Sequence, residues 1–106
     1  MIDLHMHTTY SDGTDSVEKI LMNANKLDLE LISITDHNSC EAYKEMEKMK
    51  VNELFKGNII VGCEFTTKFD NRIIEILGYG FNYNKIQNYL DNYYTSEFLE
   101  NNVCPL

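Results

Sequence analysis

The amino-acid sequence predicts an α/β fold in which parallel strands alternate with helices. Short apolar runs of strand character, IDLHMH (2–7), LISIT (31–35) and NIIVGCEF (58–65), are separated by stretches of helical periodicity. The resulting order of strand, helix, strand, helix, strand is that of βαβ units. A content of 43% apolar and 25% charged residues suits one soluble globular domain over residues 1–106.

Each element has a local reason. In 2–7, Ile2, Leu4 and Met6 alternate with Asp3, His5 and His7, the period-two signature of a strand. TTYSDGT (8–14) is a loop with Asp12-Gly13 as its turn. DSVE opens a helix, with Asp15 as the expected N-cap and Glu18 three residues on. Val17, Ile20, Leu21, Ala24 and Leu27 define its apolar face. LISIT is nearly continuous in apolar residues, as in a strand covered on both faces, and ends at Asp36-His37-Asn38. A single helix is expected over 41–55, with Ala42, Met46 and Met49 inward, until Gly57-Asn58 breaks it. The third strand is 58–65, TTKFDN (66–71) is a turn, and RIIEILGYGF (72–81) is a fourth strand. From Tyr83 a polar helix follows with Ile86, Leu90 and Tyr94 on one side, and the tail NNVCPL carries no signal.

Seventeen acidic residues against nine basic ones give a net charge of −8. Without a basic stripe, a long nucleic acid or a membrane surface is not an expected partner for this chain alone. An acidic protein can still handle a phosphorylated substrate if bound cations reverse the local field. Cys40, Cys63 and Cys104 are widely spaced, without a CxxC pair, and read as reduced thiols of a cytoplasmic protein. The sequence shows neither an apolar run of bilayer length nor a signal-peptide pattern at its start.

In α/β folds, chemistry gathers at the carboxyl ends of the strands. Strand one ends at His7, strand two at Asp36-His37 and strand three at Glu64, so all three histidines and a carboxylate fall on one edge. Imidazole nitrogen and carboxylate oxygen are ligands for zinc, manganese or iron. His5 and His7 point to the same side of their strand, and Asp12 lies in the loop directly above. Donors in excess of one ion's needs suggest a multi-metal cleft, the apparatus of phosphate-ester hydrolysis. Each residue also has a plainer reading: Asp36 or Asn38 as a helix N-cap, Asp12-Gly13 as a turn, Glu64 as a strand-end carboxylate. Those readings do not account for the joint placement. Lys68 and Arg72, in the loop expected after strand three, are candidate phosphate contacts or plain surface charges.

DLHMHTTYSDG resembles the first signature of the PHP (polymerase and histidinol phosphatase) family, and ITDHNS resembles the second. The Gly-x-Glu of GCEFTT resembles the third, and IEILGYGF the segment that follows it. The spacing agrees throughout residues 1–81. The resemblance implies a distorted (β/α)7 barrel, a cleft with two or three metal ions, and phosphoesterase chemistry. The substrate would be a small phosphomonoester or a nucleotide or oligonucleotide phosphate. Carried over by position, His5, His7 and Glu64 would hold one ion, Glu64 would bridge to a second, and Asp12 and His37 would hold a third. Asp36 would be an orienting neighbour or a cap.

Two departures stand out. Glu75 occupies the place where the family usually has a metal-binding histidine; as a ligand it would favour manganese or magnesium over zinc, and as a solvated strand residue it would do neither. No histidine follows His37, so the family's late histidine and Asp-x-His pair are absent. The expected form is therefore an incomplete barrel, the first four or so strands with intervening helices, lacking the C-terminal part. That points to an excerpt or a truncated product whose open sheet edge would favour self-association or pairing. The leading expectation is a metal-dependent phosphoesterase. The alternatives are an inactive metal-binding or assembly module, and a structural domain whose histidines are satisfied in the core.

Overall fold

The computed structural model describes residues 1–93. The expectations for Tyr94, for Cys104 and for the tail lie outside the described residues. Strands β1 (Ile2–Met6), β2 (Leu31–Ile34) and β3 (Asn58–Ile59) form a parallel sheet in the order β1-β2-β3. Its crossovers are helix α1 (Val17–Lys26) and the helix pair α2 (Glu41–Met46) and α3 (Val51–Leu54). Strands β4 (Gly62–Phe69) and β5 (Arg72–Tyr79) form an antiparallel hairpin, and α4 (Tyr83–Tyr93) follows. Among the described residues, no helix is long and apolar enough to cross a membrane.

The core is the apolar face of α1 against the parallel strands. Val17, Ile20, Leu21 and Ala24 are buried with Ile32, Ile34 and Phe55. The N-cap of α1 is Ser16, not Asp15: its hydroxyl accepts the Lys19 N–H at 3.2 Å, while the Asp15 carboxylate lies 3.4 Å from Lys19 Nζ. Serine is as good a cap as aspartate and stands next to the first helical residue. Leu27 is 68% exposed, because it is the C-cap and Asp28, at φ 53°, turns the chain so that Leu29 is buried instead.

The single helix expected over 41–55 is two helices. The N–H groups of Glu47, Lys48 and Met49 each bond the carbonyl three residues back, tightening the coil, and a new helix starts at Val51. Ala42 is buried, Met46 and Met49 pack against the core, and Phe55, just beyond α3, is buried too. Ile86 and Leu90 of α4 pack inward, and the buried Gln87 accepts the Cys40 N–H at 2.6 Å. Cys40 and Cys63 are buried free thiols.

The third expected strand also divides. Asn58 and Ile59 pair with β2, and the chain then leaves that sheet to begin β4 at Gly62. The departure is pinned by the Tyr43 hydroxyl, which donates to Ile34 O at 2.5 Å and accepts the N–H groups of Ile34 (3.1 Å) and Gly62 (3.0 Å). A Cβ on Gly62 would collide with Ser33 Oγ and Thr35 Cγ2, so the close approach needs glycine.

The turn expected over 66–71 shrinks to Asp70-Asn71, both left-handed at φ 52° and 62°. Two such residues make the tight loop that matches strand twist, so β4 continues to Phe69 and β5 must run antiparallel. The fourth strand therefore exists, with no helix between it and β4. The hairpin leaves Phe69, Ile73 and Ile76 exposed, and β5 pairs only with β4 among the described residues. A parallel bridge between His37 and Glu64 ties the start of the hairpin to the exit of β2.

Tyr43→Phe removes the acceptor from two buried N–H groups and should cost about 1–3 kcal/mol of stability. Urea denaturation monitored by circular dichroism measures it; a midpoint equal to that of the parent chain would show that the hydroxyl does not pin β4.

Candidate metal centre

The site assembles where the parallel strands end. His5, on β1, and His7, just beyond it, both direct Nε2 at Glu64 Oε1, at 2.7 and 3.0 Å. The loop after β1 folds back on itself, with Ser11 N and Gly13 N bonding Thr8 O at 3.1 and 2.9 Å. A Cβ on Gly13 would strike the His7 carbonyl, and this closeness brings Asp12 beside the imidazoles. Asp12 Oδ1 lies 2.6 Å from His7 Nδ1, and Asp12 Oδ2 lies 3.1 Å from His37 Nε2. The other nitrogen of His37, Nδ1, is 2.7 Å from Glu75 Oε2 and 3.5 Å from Glu64 Oε2. Glu75 reaches this position by register. Opposite Thr66 on the hairpin, with Leu77 opposite Glu64, it shares the face of Glu64.

Asp36 is 1% exposed and touches no histidine ring among its bonded partners. Its carboxylate accepts Thr8 N (2.6 Å), Thr8 Oγ1 (2.7 Å) and Ser11 Oγ (2.7 Å), and its carbonyl accepts Glu64 N at 3.1 Å. It orients the loop bearing His7 and Asp12 rather than a ring. Asn38, left-handed at φ 49°, donates its N–H to Glu64 O at 3.0 Å, and its amide brackets Thr66, accepting Thr66 N and donating to Thr66 Oγ1, both at 2.9 Å. Neither residue is the N-cap of α2, a place held by Cys40. Thr8, Ser11 and Thr66 were not foreseen as supports; the hydroxyl-rich TTYS directly after the histidine pair is the signal that could have marked two of them.

Lys68 and Arg72 stand apart from this cluster. They are exposed strand residues of β4 and β5, not loop residues, and Lys68 lies four positions along β4 from Glu64, about 13 Å of extended chain. Arg72 lies opposite Phe69 on the other face of the hairpin.

The charges are mutually adjusted. Burial alone would raise the Glu64 carboxyl; hydrogen bonds with Glu75, His5 and His7 and the field of His37 instead hold it at about 2. Burial pulls His7 down, yet its hydrogen bonds to Asp12 and Glu64 leave it above the ordinary imidazole value. Slight desolvation of Asp12 is outweighed by the bond to His7, which lowers it. Glu75 is raised, first by its contact with Glu64 and then by burial.

Three donor groups result: His5, His7 and Glu64; His7, Asp12 and His37; and His37, Glu64 and Glu75, the ligand atoms of each lying within 4.8 Å of one another. Two ligands on one ion at about 2.1 Å stand roughly 3.4 Å apart at the tetrahedral angle, so these spacings fit a cation. The groups share members through opposite ring nitrogens. A neutral imidazole has one free lone pair. If His7 Nε2 serves the group with His5, its Nδ1–H donates to Asp12. If His37 Nε2 serves the group with Asp12, its Nδ1–H donates to Glu75. Each shared ring could thereby offer one nitrogen to an ion while its other N–H is held by a carboxylate.

The sequence profile of the PHP domain family matches residues 3–103. The 5'-3' exoribonuclease Rnm of Escherichia coli is 33% identical over 76 residues, covering 72% of this chain and 26% of the relative. A protein of Thermotoga maritima assigned as a histidinol-phosphatase is 38% identical over 56 residues, covering 52% of this chain and 24% of its own length. The crystal structure of a candidate metal-dependent phosphoesterase of Bifidobacterium adolescentis superposes with a TM-score of 0.73 at 24% identity, covering 87% of this chain and 32% of that one. The chain thus spans about a quarter of the length of these curated relatives.

Two expectations follow. In a chelator, Glu64, lowered from 4.5 to about 2, contributes stability that is full above pH 4.5 and lost as pH falls through 2. His7, raised from 6.5, contributes stability that is full below pH 6.5 and lost as pH rises through its elevated value. Glu75, raised from 4.5, opposes Glu64 on the acid side. The metal-free melting temperature should therefore peak between pH 4.5 and 6.5, and His7→Ala should flatten the alkaline limb. Asp36→Asn, which removes one acceptor from the Thr8–Ser11 grip, should weaken metal affinity about 10- to 100-fold. Isothermal titration with zinc measures this; unchanged affinity would leave Asp36 without an orienting role.

Proposed function

The chain belongs to the PHP domain family, and from that premise we propose that it forms the metal-binding part of a phosphoesterase. The reaction is hydrolysis of a phosphate ester, either a small phosphomonoester or a nucleotide or oligonucleotide phosphate. The observation that carries this reading is the interlocked donor set, in which His7, His37 and Glu64 each belong to two of three groups. The names of the Rnm and Thermotoga relatives support the two substrate forms.

When bound, the ions supply Lewis acidity, lowering the pKa of water and neutralising charge on phosphoryl oxygens. The side chains do the rest. His5 and His7 would hold an ion through Nε2, the atoms they turn to Glu64, and Glu64, with one oxygen toward that pair and the other toward His37, would serve both neighbouring groups. Asp12 and Glu75 hold the Nδ1 protons of His7 and His37 and fix ring orientation. An open cleft of about 340 Å³, lined by His5, His7, Asp12 and Gly13, has room for a phosphoryl group. Zinc, manganese, iron and magnesium are the ions proposed for it. The parallel sheet followed by a hairpin fits the opening part of a distorted β/α barrel, and the buried free thiols fit a reducing cytoplasm.

A second reading, a metal-binding module without turnover, is favoured by one feature: the rings shared between groups leave the second and third with fewer free donors than the three protein ligands that a catalytic ion keeps. Hydrolysis of p-nitrophenyl phosphate with added manganese separates the two. The phosphoesterase reading expects turnover that falls at least 100-fold in His7→Ala, on the order of a lost metal. Metal uptake without hydrolysis, across several ions, would leave the module.

A further inference from the structure

The three donor groups are chemically unequal. Two contain two imidazoles and one carboxylate, His5–His7–Glu64 and His7–Asp12–His37. The third, His37–Glu64–Glu75, reverses that ratio. The lone-pair count sharpens the contrast. With His7 Nε2 given to the first group and its Nδ1 held by Asp12, and with His37 Nε2 turned to Asp12 at 3.1 Å and its Nδ1 held by Glu75 at 2.7 Å, the first group keeps two free imidazole nitrogens, the second one and the third none, its free donors being carboxylate oxygens alone. The hairpin supplies both acids from one face, at neighbouring positions fixed by the pairings Glu64–Leu77 and Thr66–Glu75.

We propose that the cluster divides its metals by type. The two imidazole-rich corners take a borderline ion such as zinc, and the corner at Glu75 takes a harder one such as manganese or magnesium. Imidazole suits zinc, whereas carboxylate oxygen suits magnesium and manganese. Zinc outcompetes manganese at any one such site, so the division is one of relative affinity, greatest for zinc where nitrogen is most abundant. Glu75 is the residue that sets it. Glu75→His would give the third corner a neutral nitrogen donor and make it resemble the other two. The inference rests on the reading that the cluster holds ions, and its test separates the two ideas.

The stripped chain is given two equivalents of zinc, one for each imidazole-rich corner, and then titrated with manganese. Binding is read from loss of the free-ion electron paramagnetic resonance signal, and zinc retention by mass spectrometry of the metals. The parent chain should bind about one manganese beside its zinc. In Glu75→His, manganese affinity should fall at least tenfold, about the preference expected from donor exchange, and a third equivalent of zinc, once added, should be retained. Glu75→Gln should lose manganese and keep two zincs. Because Glu75 is exposed, both variants should keep the parent's far-ultraviolet spectrum. A parent chain that retains two zinc ions and takes up no manganese beside them, or manganese binding unchanged in Glu75→His, would overturn the division and leave the metal reading intact. A parent chain that binds neither metal would overturn both.

Discussion

The whole site depends on one buried carboxylate and the peptide that carries it. Asp36 stands where β2 gives out, and it faces two ways. Its side chain is satisfied by three donors from the loop after β1, as a buried polar group requires. Its carbonyl receives the N–H of Glu64, and Asn38, two residues on, returns an N–H to Glu64 O. Two segments distant in sequence are therefore registered against one short stretch. Ring and acid positions in the cleft follow from that registration rather than from the direct contacts among them.

Much of this was legible in the residues. The alternation of IDLHMH and the apolar run of LISIT placed two strand ends, and with them all three histidines, because strand periodicity leaves little freedom in where a side chain points. Glu64 was likewise found at the correct edge. What escaped was the behaviour of the chain after Ile59. NIIVGCEF reads as one strand, and only the tertiary position of the Tyr43 hydroxyl and the tight space around Gly62 explain why it splits between two sheets. The short hairpin was missed for a related reason: Asp70-Asn71 supports a two-residue turn, but the polar TTK before it resembles loop until its pairing with Ile73 to Glu75 is seen. Asn38 and Asp36 look like helix caps in one dimension, and their actual partners lie across the fold.

The electrostatics explain how an acidic chain tolerates so many converging acids. Without cations, His7 and His37 each lie between carboxylates from different segments, and the bonds to Asp12 and Glu64 favour the charged form of the His7 ring. The same contacts describe a pocket already close to the geometry that ions require. Loading it would exchange protons for metal, and donors already gathered in one place would lower the ordering cost of binding.

The hairpin adds an element of time to this picture. His5 and His7 come from the parallel sheet, whereas Glu75 rides on a ribbon of two strands with one edge unpaired among the described residues. Isolated ribbons open more readily than packed sheets. An ion seated against Glu75 would thus exchange with solvent faster than its neighbours. Occupancy of the cluster would fill and empty in sequence, and that corner would be first to sense a change in ion supply.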